Sequence, residues 1–362
     1  AEEERYTFDH PLIREVLYEA IIPELRREYH RLMGDYLSAN RRSRPGEEAA
    51  IAYQYLEAGQ EEAALPFLLD AGDRARRLYA NAGALSALNR AETILSRLRD
   101  DAAKKGAGST GLIPQAVRLY KERGRLKQRL GEYDQAMSDY LAMQRIATEG
   151  GLTDRQAHAL SLMADLYHAM GDYDHAFDSA RRSQALALAA GDRRSLSNSL
   201  RVEGALHFYR GEYDEALRAH TASIEIQKEI DDLAGYAENL NKVGNIHLTK
   251  GDSDKAETVY QAALALGRQS GHRLAEAEAL NNLGVLYYYG GDAEAALAHL
   301  DQCLAIKKEI GDKRSLARSM GNVGMVHEML GDLGTAVATH QESLALIREI
   351  NDQGSIVTGL NN

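Results

Sequence analysis

The sequence is poor in residues that cross-link or interrupt a chain, and in long apolar runs. Its 362 residues include one cysteine, Cys303, which excludes an internal disulfide framework and favours a reducing compartment. All five prolines precede residue 115, so the helices beyond that point can run without interruption. No apolar run approaches the ~18 residues that suggest a membrane span. We expect a cytoplasmic protein that does not contact membranes.

Positive charge and catalytic motifs are also scarce. The formal charge of −11 disfavours binding to nucleic acid, which needs clustered Lys and Arg. The sequence contains no His-Glu-x-x-His, paired-Cys, Gly-x-Ser-x-Gly or glycine-rich phosphate-binding motif. Cys303 occupies a repeat position that holds serine or alanine in four other units, which predicts a small packed thiol. We predict no catalytic residues, no metal site and no cofactor.

One six-residue pattern returns every 40 residues in the second part of the chain. It begins with glycine and ends, five residues later, with alanine. The six glycines are Gly131, Gly171, Gly211, Gly251, Gly291 and Gly331. A fixed period of this length indicates a solenoid, in which each unit buries its apolar face only by stacking on its neighbours.

The residues around each glycine predict two helices per unit. Seven residues before each glycine stands another small residue, which lets a second helix approach closely. An apolar residue four positions before this small residue lies on the same face of the predicted helix. These small residues are Gly124, Ala164, Gly204, Gly244, Gly284 and Gly324. The repeated glycine permits the left-handed conformation that ends a helix, and the acid after it can cap the next. We predict antiparallel helices A and B of roughly 15 to 17 residues each.

This pattern resembles the tetratricopeptide repeat (TPR). The aromatic position of that repeat is held here by Tyr167 and Tyr287, and by histidine or lysine elsewhere. The period of 40 exceeds the usual ~34, and the proline that commonly ends helix B is missing, as in the longer-repeat variety of adaptor and signalling proteins. The resemblance implies an all-α, right-handed superhelical solenoid over residues 115–362, with six regular units and a truncated seventh. We therefore expect this chain to be a piece of a longer protein.

The first part of the chain does not share the period. Tyr6-Thr7-Phe8-Asp9-His10-Pro11 leads into a predicted helix with Leu12, Val16, Leu17 and Ala20 on one face. With this stretch, residues 1–40 resemble the C-terminal part of the winged-helix module of signal-transduction ATPases with numerous domains (STAND). That resemblance implies that His10, with Arg14 as a weaker companion, contacts the nucleotide in the parent protein and that a nucleotide-binding domain lies upstream; the alternative is a histidine bonded locally at a helix start. Residues 47–99 predict degenerate TPR-like helices, and residues 100–114 a linker or long loop.

The concave face of such a solenoid is formed by one face of every helix A. Helical spacing places asparagines there, although asparagine is a poor helix former, together with basic residues at the first units and aromatic ones later. The predicted groove residues are Arg118, Lys121, Arg125, Arg201, Phe208, Asn241, Asn245, Asn281 and Tyr288. An amide can donate to and accept from a peptide backbone at once. The alternatives are asparagines that bond between neighbouring helices and a basic face that is merely solvated.

These patterns favour a non-catalytic sensor or protein-interaction arm of a larger cytoplasmic STAND-type signalling or transcription regulator, with a peptide or protein bound in the groove. One alternative is a small-molecule-sensing regulatory domain of an enzyme or transcription regulator. Another is a structural assembly scaffold. A closed pocket near Phe208, Tyr288 and Asn245 favours a small molecule, whereas an open groove favours a peptide.

Overall fold

The computed structural model describes residues 11–41, 46–78, 80–105 and 109–349, and all regular elements among them are helices. His10 lies outside the described residues. The chain divides into two compact units, Ala1–Leu126 and Lys127–Asn362. The all-α solenoid predicted from the sequence is confirmed. No helix in the described part is both long and apolar enough to cross a bilayer.

The first unit contains irregular helix pairs. Its helices are α1 Pro11–Ala20, α2 Pro23–Ala39, α3 Glu48–Glu57, α4 Glu61–Arg77, α5 Asn81–Lys104 and most of α6 Ile113–Leu130, with a 3₁₀ turn at Ser109–Leu112 before α6. Leu37, Ile51 and Tyr55 pack together in its core. Helix α5 continues to Lys104, into the segment predicted as a linker. The reason is that Ala102, Ala103 and Lys104 are good helix formers and the first glycine comes only at position 106.

The second unit is the regular array. Its helices are α7 Tyr133–Glu149, α8 Thr153–Met170, α9 Tyr173–Ala190, α10 Arg193–Tyr209, α11 Tyr213–Glu229, α12 Leu233–Thr249, α13 Ser253–Ser270, α14 Arg273–Tyr289, α15 Ala293–Ile310, α16 Lys313–Met329 and α17 Leu333–Glu349. From α8 onward, even numbers are A helices and odd numbers are B helices. The helices reach 17 or 18 residues, slightly more than the spacing predicted. The residues expected to begin a seventh repeat, 350–362, lie outside the described part.

The repeated glycines end the A helices as predicted. All six have φ between 75° and 84°, a region in which only glycine is unstrained. The acid after the glycine caps helix B in some repeats only. Asp172, Asp292 and Asp332 accept the backbone N–H three residues on. The side chains of Glu132 and Glu212 do not cap their helices. The carboxylate of Glu212 is hydrogen-bonded to His207 instead.

Several of the small residues in the A helices each accommodate a large residue of helix B. A Cβ built on Gly244 would lie 2.4 Å from Cε1 of Tyr260, a ring that is wholly buried. The same contact joins Gly204 to His220 and Gly284 to Leu300. The predicted close approach of the two helices is therefore present in these repeats.

The A helices lie on the inner side of the second unit. Each of them from α8 onward packs on the next A helix as well as on its own partner, whereas contacts between successive B helices are sparse. Closer packing on one side curves the stack towards that side. The exposed face of the A helices is therefore concave.

Candidate functional site

A recess of about 570 Å³ opens on the concave face of the second unit. It is lined by residues of four helices: Phe208 of α10, Asn245, Leu248 and Thr249 of α12, Ser253 of α13, and Val285 and Tyr289 of α14. Phe208, Asn245, Leu248 and Val285 occupy the helix face that the spacing predicted to be concave. Three apolar residues, a phenol ring and two hydroxyl side chains therefore surround one amide.

Asn245 is oriented by the helix behind it. The hydroxyl of Tyr260 in α13 donates to Asn245 Oδ1 over 2.7 Å. Burial raises the pKa of Tyr260, so the hydroxyl keeps its proton and remains the donor. The oxygen of the amide is thus occupied, and Nδ2 has no partner within the described part of the chain. This leaves an N–H donor at an apolar recess, where it can bind a carbonyl oxygen.

A second group on the concave face is charged. Arg201 of α10 donates to Asp165 Oδ1 of α8 over 3.0 Å, and Gln128 donates to Oδ2 of the same carboxylate over 3.3 Å. Burial alone would raise the pKa of Asp165, but the charge and hydrogen bond of Arg201 outweigh it and the pKa is lowered. Asp165 in turn raises the pKa of Arg201. Both stay ionised at neutral pH, with about a third of the Asp165 side chain exposed.

The charges continue along the next A helices. Burial raises the pKa of Glu278 in α14, but Lys242 of α12 and Arg318 of α16 outweigh it, so the net shift is downward. The concave face therefore carries charges of both signs. The sequence prediction included Arg201 but missed Lys242, which follows Glu238 of the predicted face by one helical turn; an i,i+4 pair of opposite charge was the available signal.

Asn241 and Asn281 lie between helices. Asn241 is 1% exposed and donates to the carbonyl of Ala275 over 3.2 Å. Asn281 is 8% exposed, and its Oδ1 accepts from Ser319 and Asn322 of α16. These contacts match the stacking role that the sequence left open as an alternative to binding. Of the three predicted asparagines, only Asn245 lines the recess.

The remaining predicted groove residues are placed as follows. Tyr288 packs partly on the helix core, and its neighbour Tyr289 is the one that lines the recess. In the first unit, Arg118 is paired with Asp70 over 2.6 Å and Lys121 with Glu122 over 2.8 Å. Arg125 is half-buried in the same helix. The spacing missed Tyr289 because the predicted series ended at Tyr288, one residue before the end of α14.

The other residues with reactive side chains have structural partners. Cys303 is buried, with its Sγ 3.5 Å from Ser319 Oγ. Lys127, which replaces the repeat aromatic, is paired with Asp139 over 3.0 Å. His247 and His327 each lie 3.6 Å from the acid that follows the repeated glycine. Among the described residues, no cluster of His, Cys, Asp and Glu has the arrangement of a metal site.

Stacked antiparallel helix pairs with a concave inner face define a helical-repeat protein of the kind that serves protein interaction. The tetratricopeptide repeat family model matches residues 157–229, 196–269, 235–309 and 275–349, more than half of the chain in all. The chain belongs to the tetratricopeptide repeat family. A search of curated protein sequences gave no match.

Solved structures share the fold at low sequence identity. The Rap conjugation gene regulator of plasmid pLS20 in complex with the Phr* peptide is 16% identical, with 83% of this chain and 77% of that chain covered and a TM-score of 0.65. The apo quorum sensor NprR from B. thuringiensis is 16% identical, with 93% and 91% covered and a TM-score of 0.60. A STAND protein with a tetratricopeptide repeat sensor from Pyrococcus horikoshii is 15% identical, with 99% of this chain and 65% of that chain covered and a TM-score of 0.46. These likenesses concern the fold alone, and the last carries no argument.

Proposed function

We propose that the recess around Asn245 binds an extended peptide segment, from a free peptide or a partner protein. The observation that carries the proposal is the amide of Asn245, whose oxygen is occupied by Tyr260 and whose Nδ2 is left at an apolar recess. A peptide backbone offers carbonyl oxygens at regular spacing, and the apolar walls suit an adjoining side chain. A solved protein of this fold is described as a complex with a peptide, which agrees with the proposal.

The surroundings of the recess favour a peptide over a small molecule. Tyr289, one of its walls, is 69% exposed, so the recess is open to solvent along its rim. The charged row from Asp165 to Glu278 continues along the concave face over several repeats. A ligand that uses the apolar recess and this polar row together must be long, which fits an extended chain.

The wider proposal is that the peptide-binding array is the sensor arm of a cytoplasmic STAND-type signalling or transcription regulator. The resemblance of residues 1–40 to the end of a winged-helix module supports a nucleotide-binding domain upstream of the array in the parent. Peptide binding then changes the state of that domain. This coupling requires that the peptide binds more tightly when the domain is in one of its two states than in the other.

The test is affinity selection of peptides by the whole chain. An equimolar library of degenerate hexapeptides is passed over the wild type, Asn245→Ala and the matched control Gln302→Ala, an exposed amide on a B helix. Retained peptides are identified by mass spectrometry. We expect roughly fivefold weaker retention by Asn245→Ala, the value of one net hydrogen bond, and no change for Gln302→Ala.

Tyr260→Phe separates the orientation of the amide from its presence. It keeps the Asn245 amide but removes the hydroxyl that holds its oxygen, so a smaller loss of retention is expected than for Asn245→Ala. If peptides are retained equally by the wild type and by Asn245→Ala of unchanged melting temperature, the recess is not the binding site.

A further inference from the structure

A cleft of about 490 Å³ lies between α7, the B helix that precedes α8, and the last turn of α8. Its α7 wall contains Met137 and Leu141, and its α8 wall contains Tyr167 and Met170. Leu141 is 47% exposed and Met170 is 44% exposed, so the cleft is open to solvent. This outer cleft shares no lining residue with the recess around Asn245. A ligand of the outer cleft therefore occupies a separate site.

The outer cleft is apolar at positions where most other units are not. The equivalents of Leu141 in the later units are Arg181, Thr221, Gln261, Asp301 and Gln341. Those of Met170 are Arg210, Lys250, Gly290 and Leu330. The later units stack without a leucine at the first position, so the fold does not require one there. An exposed apolar wall that the fold does not require is typical of an interaction site.

The tyrosine of the outer cleft lacks the partner that its repeat equivalent has. The hydroxyl of Tyr287 donates to Oε1 of Glu257 over 2.7 Å. Met137 stands at the position of Glu257, and the Tyr167 hydroxyl has no hydrogen-bond partner within the described ranges. The ring of Tyr167 is held by stacking on His175, with centroids 5.2 Å apart. The cleft therefore offers one fixed hydroxyl beside an apolar wall.

An acid and a base flank the apolar wall along α7. Asp134 lies in the first turn of the helix and Arg145 lies 11 residues further on, both of them exposed lining residues of the cleft. The acid at the position of Asp134 is paired in the next two units, Asp174 with Arg210 over 3.8 Å and Asp214 with Lys250 over 2.8 Å. Met170 replaces that base here, and neither Asp134 nor Arg145 forms an ion pair with another described residue. The helix rise puts the two charges roughly 16 Å apart.

We propose that the outer cleft docks an amphipathic helix of a partner protein, which lies along α7. Met137 and Leu141, four residues apart, form a ridge of the kind that packs between the side-chain rows of another helix. The flexible methionines adapt to the apolar stripe of the partner. A base on the partner pairs with Asp134, and an acid about three turns along it pairs with Arg145. This site goes beyond the peptide-binding function proposed for the concave face.

The probe is a phage-displayed library of single helices of about 18 residues. Each has a degenerate stripe of Leu, Met, Ala and Phe, and two flanking positions, at the spacing of Asp134 and Arg145, that vary among Lys, Glu and Gln. The library is selected on the whole chain as wild type and as Leu141→Gln, which introduces the residue that Gln261 and Gln341 already provide in other units. The control is Leu188→Gln, which replaces a 65% exposed leucine of α9. We expect the wild type and Leu188→Gln to enrich helices, and Leu141→Gln to lose most of that enrichment.

The charges of the selected helices test how the partner lies. The wild type is expected to enrich helices with one Lys and one Glu about fivefold over helices with two like charges, as two surface ion pairs allow. Arg145→Glu makes both ends of the cleft acidic, so its selected helices are expected to carry two lysines. Arg348→Glu, at an exposed arginine of α17, is the control and is expected to select the same charges as the wild type. Circular dichroism checks that each variant keeps its helix content.

Four results would overturn the proposal. Enrichment that is equal on the wild type and on Leu141→Gln removes the helix from the outer cleft. Selected charges that do not change in Arg145→Glu show that the flanking pair does not orient it. Helices that lose binding on Asn245→Ala instead of Leu141→Gln belong to the concave recess, which leaves the proposed function standing. A wild-type dimer in sedimentation velocity that is absent in Leu141→Gln makes a second copy of the chain the occupant.

Discussion

At the scale of single residues, His220 shows how burial sets the chemistry of this array. It lies between α11 and α12, with Nδ1 2.7 Å from Asn239 Oδ1, and Asn239 donates onward to Ser223 and Gln227. Burial lowers the pKa of His220 to about 4, although its hydrogen bond to Asn239 acts in the opposite direction. Between pH 4 and about 6.5 the unfolded chain therefore takes up a proton that the folded chain does not.

This difference predicts a loss of stability in acid. The contribution of neutral His220 to the free energy of unfolding is fully present above pH 6.5 and is lost as the pH falls towards 4. At pH 5 the loss amounts to about 2 kcal/mol. The double variant His220→Leu/Asn239→Ala removes the buried imidazole and its partner. Its new residues are those that other repeats carry at the same positions, Leu300 and Ala279. Urea unfolding at pH 7 and pH 5 is expected to show a smaller loss for the variant. An equal loss in both proteins would show that His220 does not titrate as its burial implies.

Some single residues could not be predicted from the period. Lys307 is wholly buried, with Nζ donating to the Ser315 carbonyl and to Ser319 Oγ, and burial lowers its pKa. The same repeat position holds Ala147, Ala187, Gln227, Gly267 and Ile347, so the pattern does not predict a charged side chain there. The partners of Lys307 come from the following helix, and such pairings are set by tertiary packing that spacing does not encode.

At the scale of helices, the contact between Gly244 and Tyr260 is expected to tolerate no side chain. A Cβ at Gly244 would lie 2.4 Å from a ring that has no free space to move into, because Tyr260 is wholly buried. Gly244→Ala is expected to destabilise the array by about 1 to 3 kcal/mol, the usual cost of overpacking, and to lower its melting temperature.

Gly334→Ala is the matched control in α17. Its Cβ would meet only Asp332 Oδ1, at 3.8 Å, so replacing glycine in a helix is expected to raise stability by about 0.5 kcal/mol. Thermal unfolding by circular dichroism compares the two variants. Equal melting temperatures for them would contradict the account of how helices A and B pack.

The helices and turns of the second unit were predictable because their causes are local. The repeated glycines appear as left-handed helix ends, and the small residues of the A helices as sites of close approach. The recess was predictable in part, since spacing alone assigns Phe208 of α10 and Asn245 and Leu248 of α12 to the equivalent face of their helices. The roles of Asn241 and Asn281 were not, because an amide on that face can point either into the groove or towards the next helix.

At the scale of the whole second unit, curvature is what spacing could not predict. Tyr133 and Arg314 are far apart in sequence, and the contact between them depends on the sum of small rotations over several repeats. A cavity of about 680 Å³ between Tyr209 of α10 and Arg318 of α16 exists only because of that sum. No single repeat carries a signal for it, although each contributes one helix pair of predictable form.

The central claim is that an extended peptide binds on the concave face, and its most direct measurement is site-specific photo-crosslinking. A benzophenone amino acid is placed at Thr249, on the rim of the recess, or at Thr258, on the exposed face of a B helix. The two threonines are matched, because both are exposed helix residues whose Oγ1 bonds the carbonyl four residues earlier.

Each protein is irradiated with the degenerate hexapeptide library, and cross-linked peptides are identified by mass spectrometry. The account predicts cross-links from position 249 that unlabelled selected peptide competes away, and none of this kind from position 258. Competed cross-links from position 258 with none from position 249 would place the ligand on the convex side and contradict the proposed function.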